Sequence, residues 1–218
     1  MSEQPRSSNV RPYRMGKRAE QVDETRQRIV EATVELHGTV GPAATTIAAI
    51  AELANVTRLT VYRHFPDDTA LFGACTSQWT SQHPPPATAL WTEIADPRER
   101  LRTGLSEIYA YYRRGEAMLA NVHRDLESIP GEYRRNLDLQ DRGFREVLLR
   151  AFQPRANEGR TLRAVIGHAV SFATWRSLCR EQGLSDAEAV DAMGELVAAA
   201  ARPDWRKAAH EWRHASAG

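Results

Sequence analysis

Long apolar runs, paired cysteines and a strong net charge are all missing from this sequence, and each absence excludes a class of protein. No stretch of the 218 residues is long and apolar enough for a transmembrane span, so we expect a cytoplasmic protein with no membrane partner. Cys75 and Cys179 lie far apart in apolar surroundings and lack CxxC spacing, which predicts buried free thiols in a reducing compartment. The formal net charge is only +1, so any attraction to nucleic acid must be local.

Motifs that carry catalysis or hold a cofactor are also missing. We find no HExxH spacing, no glycine-rich phosphate loop and no nucleophile elbow, so we expect no cofactor, no metal ion and no catalytic residue. An enzyme is the rival interpretation, and it would have to use titratable side chains of the second half of the chain: His123, Asp125, Glu127, His168 or Cys179. His123 and Asp125 stand two residues apart and would diverge on a helix, which argues against acid–base catalysis there.

The stretch from Thr45 to Phe65 has the pattern of two short helices joined by a tight turn. Thr46 precedes the first helix and can cap its free N–H groups, and Thr57 can do the same for the second. Asn55 falls at the turn, where it tolerates a left-handed backbone better than other non-glycine residues. Apolar residues at helical spacing predict the buried side of the pair: Ile47, Ile50, Ala51, Ala54, Val56, Val61 and Phe65.

The polar side of the second helix suits the major groove of DNA. It carries Arg58, Thr60, Tyr62, Arg63 and His64. Tyrosine and threonine hydroxyls can donate hydrogen bonds to phosphate oxygens, and arginine can donate two bonds to guanine. A polar second helix after a tight turn is how helix-turn-helix proteins read DNA. A short helix pair is also common in any helical bundle, so the periodicity alone leaves a purely structural role open.

This region resembles the N-terminal domain of the TetR family of bacterial transcriptional regulators. The resemblance covers roughly residues 22 to 72 and rests on the helix TRQRIVEATVELHG, on Thr46 and on the run IAELANVTRLTVYRHF. It implies phosphate-backbone contacts for Thr46, Tyr62 and His64. It places Arg58, Thr60 and Arg63 nearer the base edges. We also expect Thr57, at the start of the same helix, to be a DNA-binding residue.

Three positions depart from the family pattern. Asn55 and Leu59 stand where glycines are usual, and Leu59 could contact a thymine methyl group or simply pack. Asp68 stands where many relatives have a lysine that meets a phosphate, although Asp67 and Asp68 could instead cap the fourth helix. This acid leaves open a helical dimer that binds a ligand as an adaptor and has lost operator binding.

A basic segment precedes the helix pair. Arg6, Arg11, Arg14, Lys17 and Arg18 face only Glu3 across the first eighteen residues, in a polar stretch that we expect to be disordered. Arg11 or Arg14 could bind in the minor groove beside the recognition helix, as homeodomain arms do. A solubilising tail without an ordered role is the alternative.

The remaining sequence predicts an all-α fold with no strand-like alternation. We expect a flexible arm at 1–20, a three-helix DNA-binding domain with its helix-turn-helix and connecting helix at 21–82, a helical ligand-binding and dimerisation domain at 83–202, and a tail at 203–218. The prolines of HPPPAT mark the domain boundary because they end the connecting helix.

The resemblance also implies partners for the C-terminal domain. The last two helices, roughly 158–181 and 185–201, would form a homodimer that binds a pseudo-palindromic operator, and repression is the commoner role in that family. A small-molecule effector would bind in this domain and change the separation of the two DNA-reading heads. Aromatic and apolar residues that could line its pocket suggest an apolar or aromatic effector: Trp91, Tyr109, Tyr112, Met118, His123, Phe144, Phe172 and Trp175. Taken singly, each of these is more typical of an ordinary bundle core than of a pocket.

Overall fold

The chain folds into helices, as its periodicity predicts. The computed structural model describes residues 11–153 and 159–202, and within these ranges there is no strand. The described residues form two compact units. One contains the chain up to Gln82 together with Ala120–Pro130, and the other contains His83–Leu119 together with the chain from Gly131. The all-α class is confirmed, and no helix in the described ranges is long and apolar enough to cross a bilayer.

Four helices build the N-terminal unit: α1 (Arg11–Thr39), α2 (Ile47–Leu53), α3 (Arg58–His64) and α4 (Asp68–Gln82). Their buried side chains form one apolar cluster: Ile29, Val30, Ala32, Ile50, Ala51, Ala54, Val61, Phe65 and Leu71. The predicted stripe of the helix pair belongs to this cluster, and Ile47 and Val56 pack at its edge while partly buried. The small Ala51 stands at the centre of the stripe, where it permits close packing of α2.

Helix α1 begins earlier than the composition predicts. The basic segment is expected to be disordered through residue 18 and flexible through residue 20, but α1 extends back to Arg11. The segment RPYRMGKRAE contains several good helix formers, and extending a helix that already exists adds one hydrogen bond per residue ordered. Residues 11–20, which the composition predicts as a flexible arm, therefore belong to α1 in the structure. Residues 1–10 lie outside the described part of the chain.

A short segment from the middle of the chain, Ala120–Pro130, belongs to the N-terminal unit, although the sequence pattern places it in the C-terminal domain. The side-chain amide of Asn121 donates to the carbonyl oxygens of His37 and Gly38, both at 3.0 Å. The last carbonyls of an α-helix have no partner within the helix. Asn121 supplies two of these missing donors at the end of α1.

Asp125 fixes the turn that leads from α1 into α2. Its carboxylate accepts a hydrogen bond from the backbone N–H of Ala43 at 3.1 Å and binds the guanidinium of Arg124. This bond to Arg124 lowers the pKa of Asp125, and the Ala43 N–H lowers it further. Gly41 makes room for the pair, because its φ is 95° and a Cβ there would overlap both charged groups.

The C-terminal unit is a bundle of helices that begins after the prolines. The connecting helix ends at Gln82 and the next helix begins at Thr88, which confirms the predicted break. The helices of this part of the chain are α5 (Thr88–Trp91), α6 (Pro97–Arg114), α7 (Glu116–Arg124), α8 (Gly131–Ala151), α9 (Gly159–Ala169), α10 (Phe172–Arg176) and α11 (Asp186–Ala201). The end of α7 is the part that belongs to the N-terminal unit.

The predicted helix at 158–181 is interrupted. Helix α9 ends at Ala169, α10 starts afresh with Ser171 as its cap, and a π-helical turn follows at Ser177–Glu181. The Ser171 hydroxyl accepts from the Thr174 N–H at 3.2 Å, and such a local bond competes with helix continuation. The helix predicted at 185–201 is confirmed by α11, which starts with a capping box. The predicted tail at 203–218 lies outside the described residues.

Candidate DNA-binding surface

The turn between α2 and α3 is fixed by backbone hydrogen bonds. Asn55 has the left-handed φ of 52°, as its place in the sequence predicts. Its N–H donates to Glu52 O at 3.0 Å, and the N–H of Val56 donates to Ala51 O at 2.9 Å. This is the pattern of a Schellman motif, which ends a helix and supplies donors to two carbonyls of its last turn. The direction of α3 relative to α2 is therefore set by a turn that asparagine tolerates.

Two threonines cap the helix pair. The Thr46 hydroxyl accepts from the Ala49 N–H at 3.1 Å, and the Thr57 hydroxyl accepts from the Thr60 N–H at the same distance. The Thr57 and Thr60 hydroxyls also lie 2.9 Å apart. Both predicted caps are confirmed. Because Thr57 is engaged within α3, its first role is to start the recognition helix.

The outward side of α3 carries the predicted polar residues together with Leu59. Arg58, Tyr62 and Arg63 are exposed, whereas Thr60 and His64 are half-buried. Val61 is fully buried on the opposite side. The surface formed by residues 58–60 and 62–64 of α3 is called the reading surface below. It presents two guanidinium groups and two hydroxyl groups, which match the acceptors of phosphates and of guanine.

The start of α4 carries two acidic residues, Asp67 and Asp68, which could cap the helix or lie near a phosphate. The Asp67 carboxylate accepts from the Ala70 N–H at 2.7 Å, so Asp67 caps the helix. Asp68 stands in the first turn of α4 and is exposed, where its charge suits the positive end of the helix dipole. Asp67 therefore has the stabilising role, and Asp68 is the acid that a nearby phosphate would meet.

The minor-groove candidates can be placed only by their backbone. Arg11 and Arg14 belong to the first turns of α1, and their side chains lie outside the described part of the structure. Their contact with DNA stays a prediction.

The aromatic candidates of the C-terminal unit have their polar groups satisfied inside the protein. The Tyr109 hydroxyl donates to Ala169 O at 2.9 Å, and the Tyr112 hydroxyl donates to Val170 O at 2.6 Å. The indole N–H of Trp91 donates to Glu107, and that of Trp175 donates to Asp186. Together with Met118, Phe144 and Phe172, these residues are buried. The remaining candidate, His123, belongs instead to the N-terminal unit, where it is half-buried and its pKa is lowered by that burial.

Two surface grooves of the C-terminal unit are lined by residues other than the eight ligand candidates. A groove of about 440 Å³ between α8 and α9 is lined by Asp138, Asp141, Arg142, Arg145, Arg160, Arg163, Ala164 and Gly167. A second groove of about 240 Å³ lies between α6 and α11. None of the eight ligand candidates lines either groove. Their contact with an effector therefore stays a prediction.

The titratable residues of the rival enzyme interpretation have structural contacts. Asp125 holds the α1–α2 turn, and the Thr174 hydroxyl lies 3.2 Å from a ring nitrogen of His168. Burial raises the pKa of the Cys179 thiol to about 11, and the hydrogen bond to Asp186 adds to this shift. Both cysteines are free and buried. Within the described ranges, no group of three or more His, Cys, Asp or Glu side chains is placed to hold a metal ion.

Comparison with known proteins connects this geometry to a family. Residues 29–75 match the family model for bacterial regulatory proteins of the tetR family, whereas no curated protein matches the chain. The structure of AibR in complex with isovaleryl coenzyme A and operator DNA is similar, with a TM-score of 0.56 and 21% identity over 79% of this chain and 97% of that chain. NalD, the secondary repressor of the MexAB-OprM multidrug efflux pump in Pseudomonas aeruginosa, has a TM-score of 0.51 and 21% identity over 85% and 100% of the two chains.

A third similar structure is a TetR-like transcriptional regulator from Rhodococcus sp. RHA1, with a TM-score of 0.50 and 20% identity over 85% of this chain and 96% of that chain. At these identities the likeness establishes the shared fold. The shared architecture is a helix-turn-helix unit followed by a separate helical unit. The family match lies within the helix-turn-helix unit, so residues 29–75 are similar to the DNA-binding domain of tetR-family regulators.

Proposed function

We propose that this protein is a homodimeric transcriptional repressor that binds a pseudo-palindromic operator and is released by a small apolar or aromatic effector. The reading surface of α3 is the observation that carries the proposal. Arg58, Tyr62 and Arg63 are exposed on one short helix whose start and direction are fixed by the Thr57 cap and the Asn55 turn. Exposed donors on a rigidly held helix are what recognition of a major groove requires.

Because the net charge is close to zero, we expect DNA affinity to depend mainly on the placement of individual donor groups. The formal net charge is +1, so a general positive field contributes little. Residues 1–65 contain nine Lys and Arg against seven Asp and Glu, which leaves only a small local excess of positive charge. We therefore expect salt-sensitive binding through a limited number of phosphate contacts.

The shortness of α3 gives a physical reason for dimerisation. Helix α3 has seven residues and can read only a few base pairs, so two copies related by a two-fold axis are needed for a specific site. Helix α11 supports this proposal because it is rich in alanine and leaves Leu196 53% exposed. An apolar, small-residue helix surface suits close packing against a second copy.

The aromatic cluster of the C-terminal unit supports an apolar or aromatic effector. It consists of tilted and edge-to-face rings, among them Tyr112, Phe172 and Trp175. The AibR structure contains both a coenzyme A ester and operator DNA, which is consistent with a ligand-responsive regulator on this fold. An effector that binds one separation of the two DNA-reading units more tightly than the other would release or retain the operator.

An adaptor without operator binding is the second candidate, and Asp68 is the observation that favours it. Its exposed carboxylate lies at the start of α4, where it would repel a nearby phosphate. Both candidates share the helical fold and the dimer. They differ in whether the purified protein binds DNA in a salt-dependent and sequence-dependent way.

Selection of bound fragments from randomised DNA by the purified full chain tests the proposal. We expect enrichment of a palindromic motif, bound by two chains, with a logarithm of affinity that falls linearly with the logarithm of salt concentration. Sedimentation of the free protein tests the homodimer separately. Failure to enrich any motif with a folded dimer would contradict the repressor and favour the adaptor.

A further inference from the structure

Leu59 is the most exposed large apolar side chain among the described residues, at 69%. A single exposed leucine on a protein surface needs no special explanation. The position of Leu59 does call for an explanation, because Leu59 lies on the reading surface and in the first turn of α3. The alternative that Leu59 packs against its own domain does not fit this exposure.

The helical geometry directs Leu59 away from the domain. Successive residues of an α-helix are about 100° apart, so Leu59 and Arg63, each two positions from the buried Val61, face almost directly away from the apolar cluster. Leu59 also occupies the second position of α3, and recognition helices contact base edges mainly with their N-terminal residues. The exposed neighbours Arg58 and Arg63 provide the positive charge that draws this helix onto DNA.

The chemistry of leucine narrows what it can contact there. Its side chain has no donor or acceptor, so a polar base edge facing it would lose hydrogen bonds to water without replacing them. Thymine is the one base that presents a methyl group in the major groove. Leucine against that methyl group buries apolar surface on both sides.

We propose that Leu59 determines specificity by contacting a thymine methyl group in each half of the operator. The inference rests on the proposed function, since it requires α3 to bind DNA. Leu59 then selects a thymine at one symmetric pair of positions. Arg58 and Arg63 bind elsewhere on the same site.

Deoxyuridine tests this contact because it differs from thymidine only by the missing methyl group. In the selected operator, each symmetric pair of thymines is replaced by deoxyuridine in turn, and the dissociation constant is measured. We expect one pair at which the wild-type protein loses about fourfold in affinity per methyl group, or about fifteenfold for both half-sites. At the other pairs the affinity should change little.

Three variants identify the side chain responsible. Leu59→Ala should bind the thymine and deoxyuridine operators equally at that pair, whereas Leu59→Met, which keeps the apolar reach, should retain most of the preference. Leu139→Ala is the matched control, because Leu139 is 61% exposed on α8 in the C-terminal unit and should leave the preference unchanged. Circular dichroism and thermal unfolding of each variant show that the fold is intact.

The outcomes separate this inference from the function on which it rests. Operator binding without any methyl preference, or an unchanged preference in Leu59→Ala, would overturn the role of Leu59 and leave the proposed function standing. Failure of the wild-type protein to select any operator would overturn both.

Discussion

Tyr62 in the N-terminal unit and Tyr112 in the C-terminal unit use the same side chain in opposite ways. Tyr62 is 53% exposed on the reading surface. Tyr112 is 2% exposed, its hydroxyl donates to Val170 O at 2.6 Å, and burial raises its pKa well above the usual value for tyrosine. The comparison shows that polarity alone does not identify a binding residue. What distinguishes the two tyrosines is whether the hydroxyl is available to a partner.

The availability of polar groups also distinguishes the reading surface from the aromatic cluster as a whole. The reading surface places its arginines and Tyr62 in solvent, whereas the indole and phenol groups of the aromatic cluster bind carboxylates and carbonyls inside the protein. Substitutions in the reading surface should therefore change DNA binding with little effect on stability. Substitutions in the aromatic cluster should do the reverse.

Trp175→Ala should have the largest effect on stability. Trp175 is fully buried, and its indole N–H donates to Asp186 at 2.9 Å. We expect the free energy of unfolding to fall by about 3–5 kcal/mol, because the substitution leaves a large cavity and removes the indole hydrogen bond to Asp186. Chemical denaturation of both proteins measures the change. A loss below about 1 kcal/mol would mean that Trp175 belongs to a loosely packed pocket and not to the core.

Acid should destabilise the N-terminal unit through His37. Burial lowers the pKa of His37 to about 4, with partial opposition from Asp125, and the Cys75 sulfur lies 3.4 Å from its Nδ1. The unfolded chain binds the extra proton between pH 6.5 and 4, so the free energy of unfolding should fall by about 3 kcal/mol as the pH falls through this window. In His37→Gln this contribution should disappear, as judged by denaturation curves between pH 7.5 and 4.5.

Asp141 in the C-terminal unit provides the matched comparison. Burial, with help from Asp138, raises the pKa of Asp141 to about 6. Because the folded state then binds the proton more tightly than the unfolded state, this group stabilises the protein as the pH falls from 6 towards 4. Asp141→Asn should therefore shift the pH dependence in the direction opposite to His37→Gln. Parallel curves for the wild type and both variants would contradict these assignments.

Tyr112→Phe and Tyr62→Phe test the opening comparison directly. Tyr112→Phe leaves Val170 O without its buried donor, so we expect a loss of about 1–3 kcal/mol in the free energy of unfolding and unchanged operator affinity. Tyr62→Phe should leave stability within about 0.5 kcal/mol of the wild type. It should weaken binding to all DNA sequences by about three- to tenfold through a lost phosphate bond. Denaturation and titration with specific and non-specific DNA distinguish these patterns.

Asp68→Lys should have the smallest effect, and it should strengthen DNA binding. The substitution replaces an exposed acid at the start of α4 by a base that can meet a phosphate, while Asp67 still caps the helix. We expect higher affinity for all sequences and a salt dependence steeper by about one phosphate contact. Glu52→Lys makes the same charge change on α2 and tests whether position or net charge is responsible. Equal effects of both substitutions would indicate net charge.

Local sequence features were sufficient to predict the helix pair. The caps Thr46 and Thr57 and the turn residue Asn55 act within a few residues, and the structure shows each in its expected role. Contacts between distant parts of the chain could not be predicted in this way. The Ala43 N–H donates to the Asp125 carboxylate, 82 positions away, and no local sequence pattern predicts that hydrogen bond.

Two helix boundaries differ from those that the sequence predicts, namely the start of α1 and the break after α9. The start of α1 at Arg11 depends on extension from a packed helix, which composition does not show. The interruption after Ala169 depends on the Ser171 cap, which competes with a helical pattern that is otherwise continuous. Each aromatic candidate alone is more typical of a core than of a pocket, and the internal hydrogen bonds of these side chains are visible only in three dimensions.

The central claim is that the outward side chains of α3 determine which DNA sequence is bound. Repeating the selection from randomised DNA with Arg58→Ala combined with Arg63→Ala tests it most directly, because both side chains are exposed and neither is in the core. We predict that the enriched motif loses its preference at one or more symmetric pairs of positions while the fold remains intact. An unchanged motif, with affinity reduced equally for all sequences, would contradict the claim.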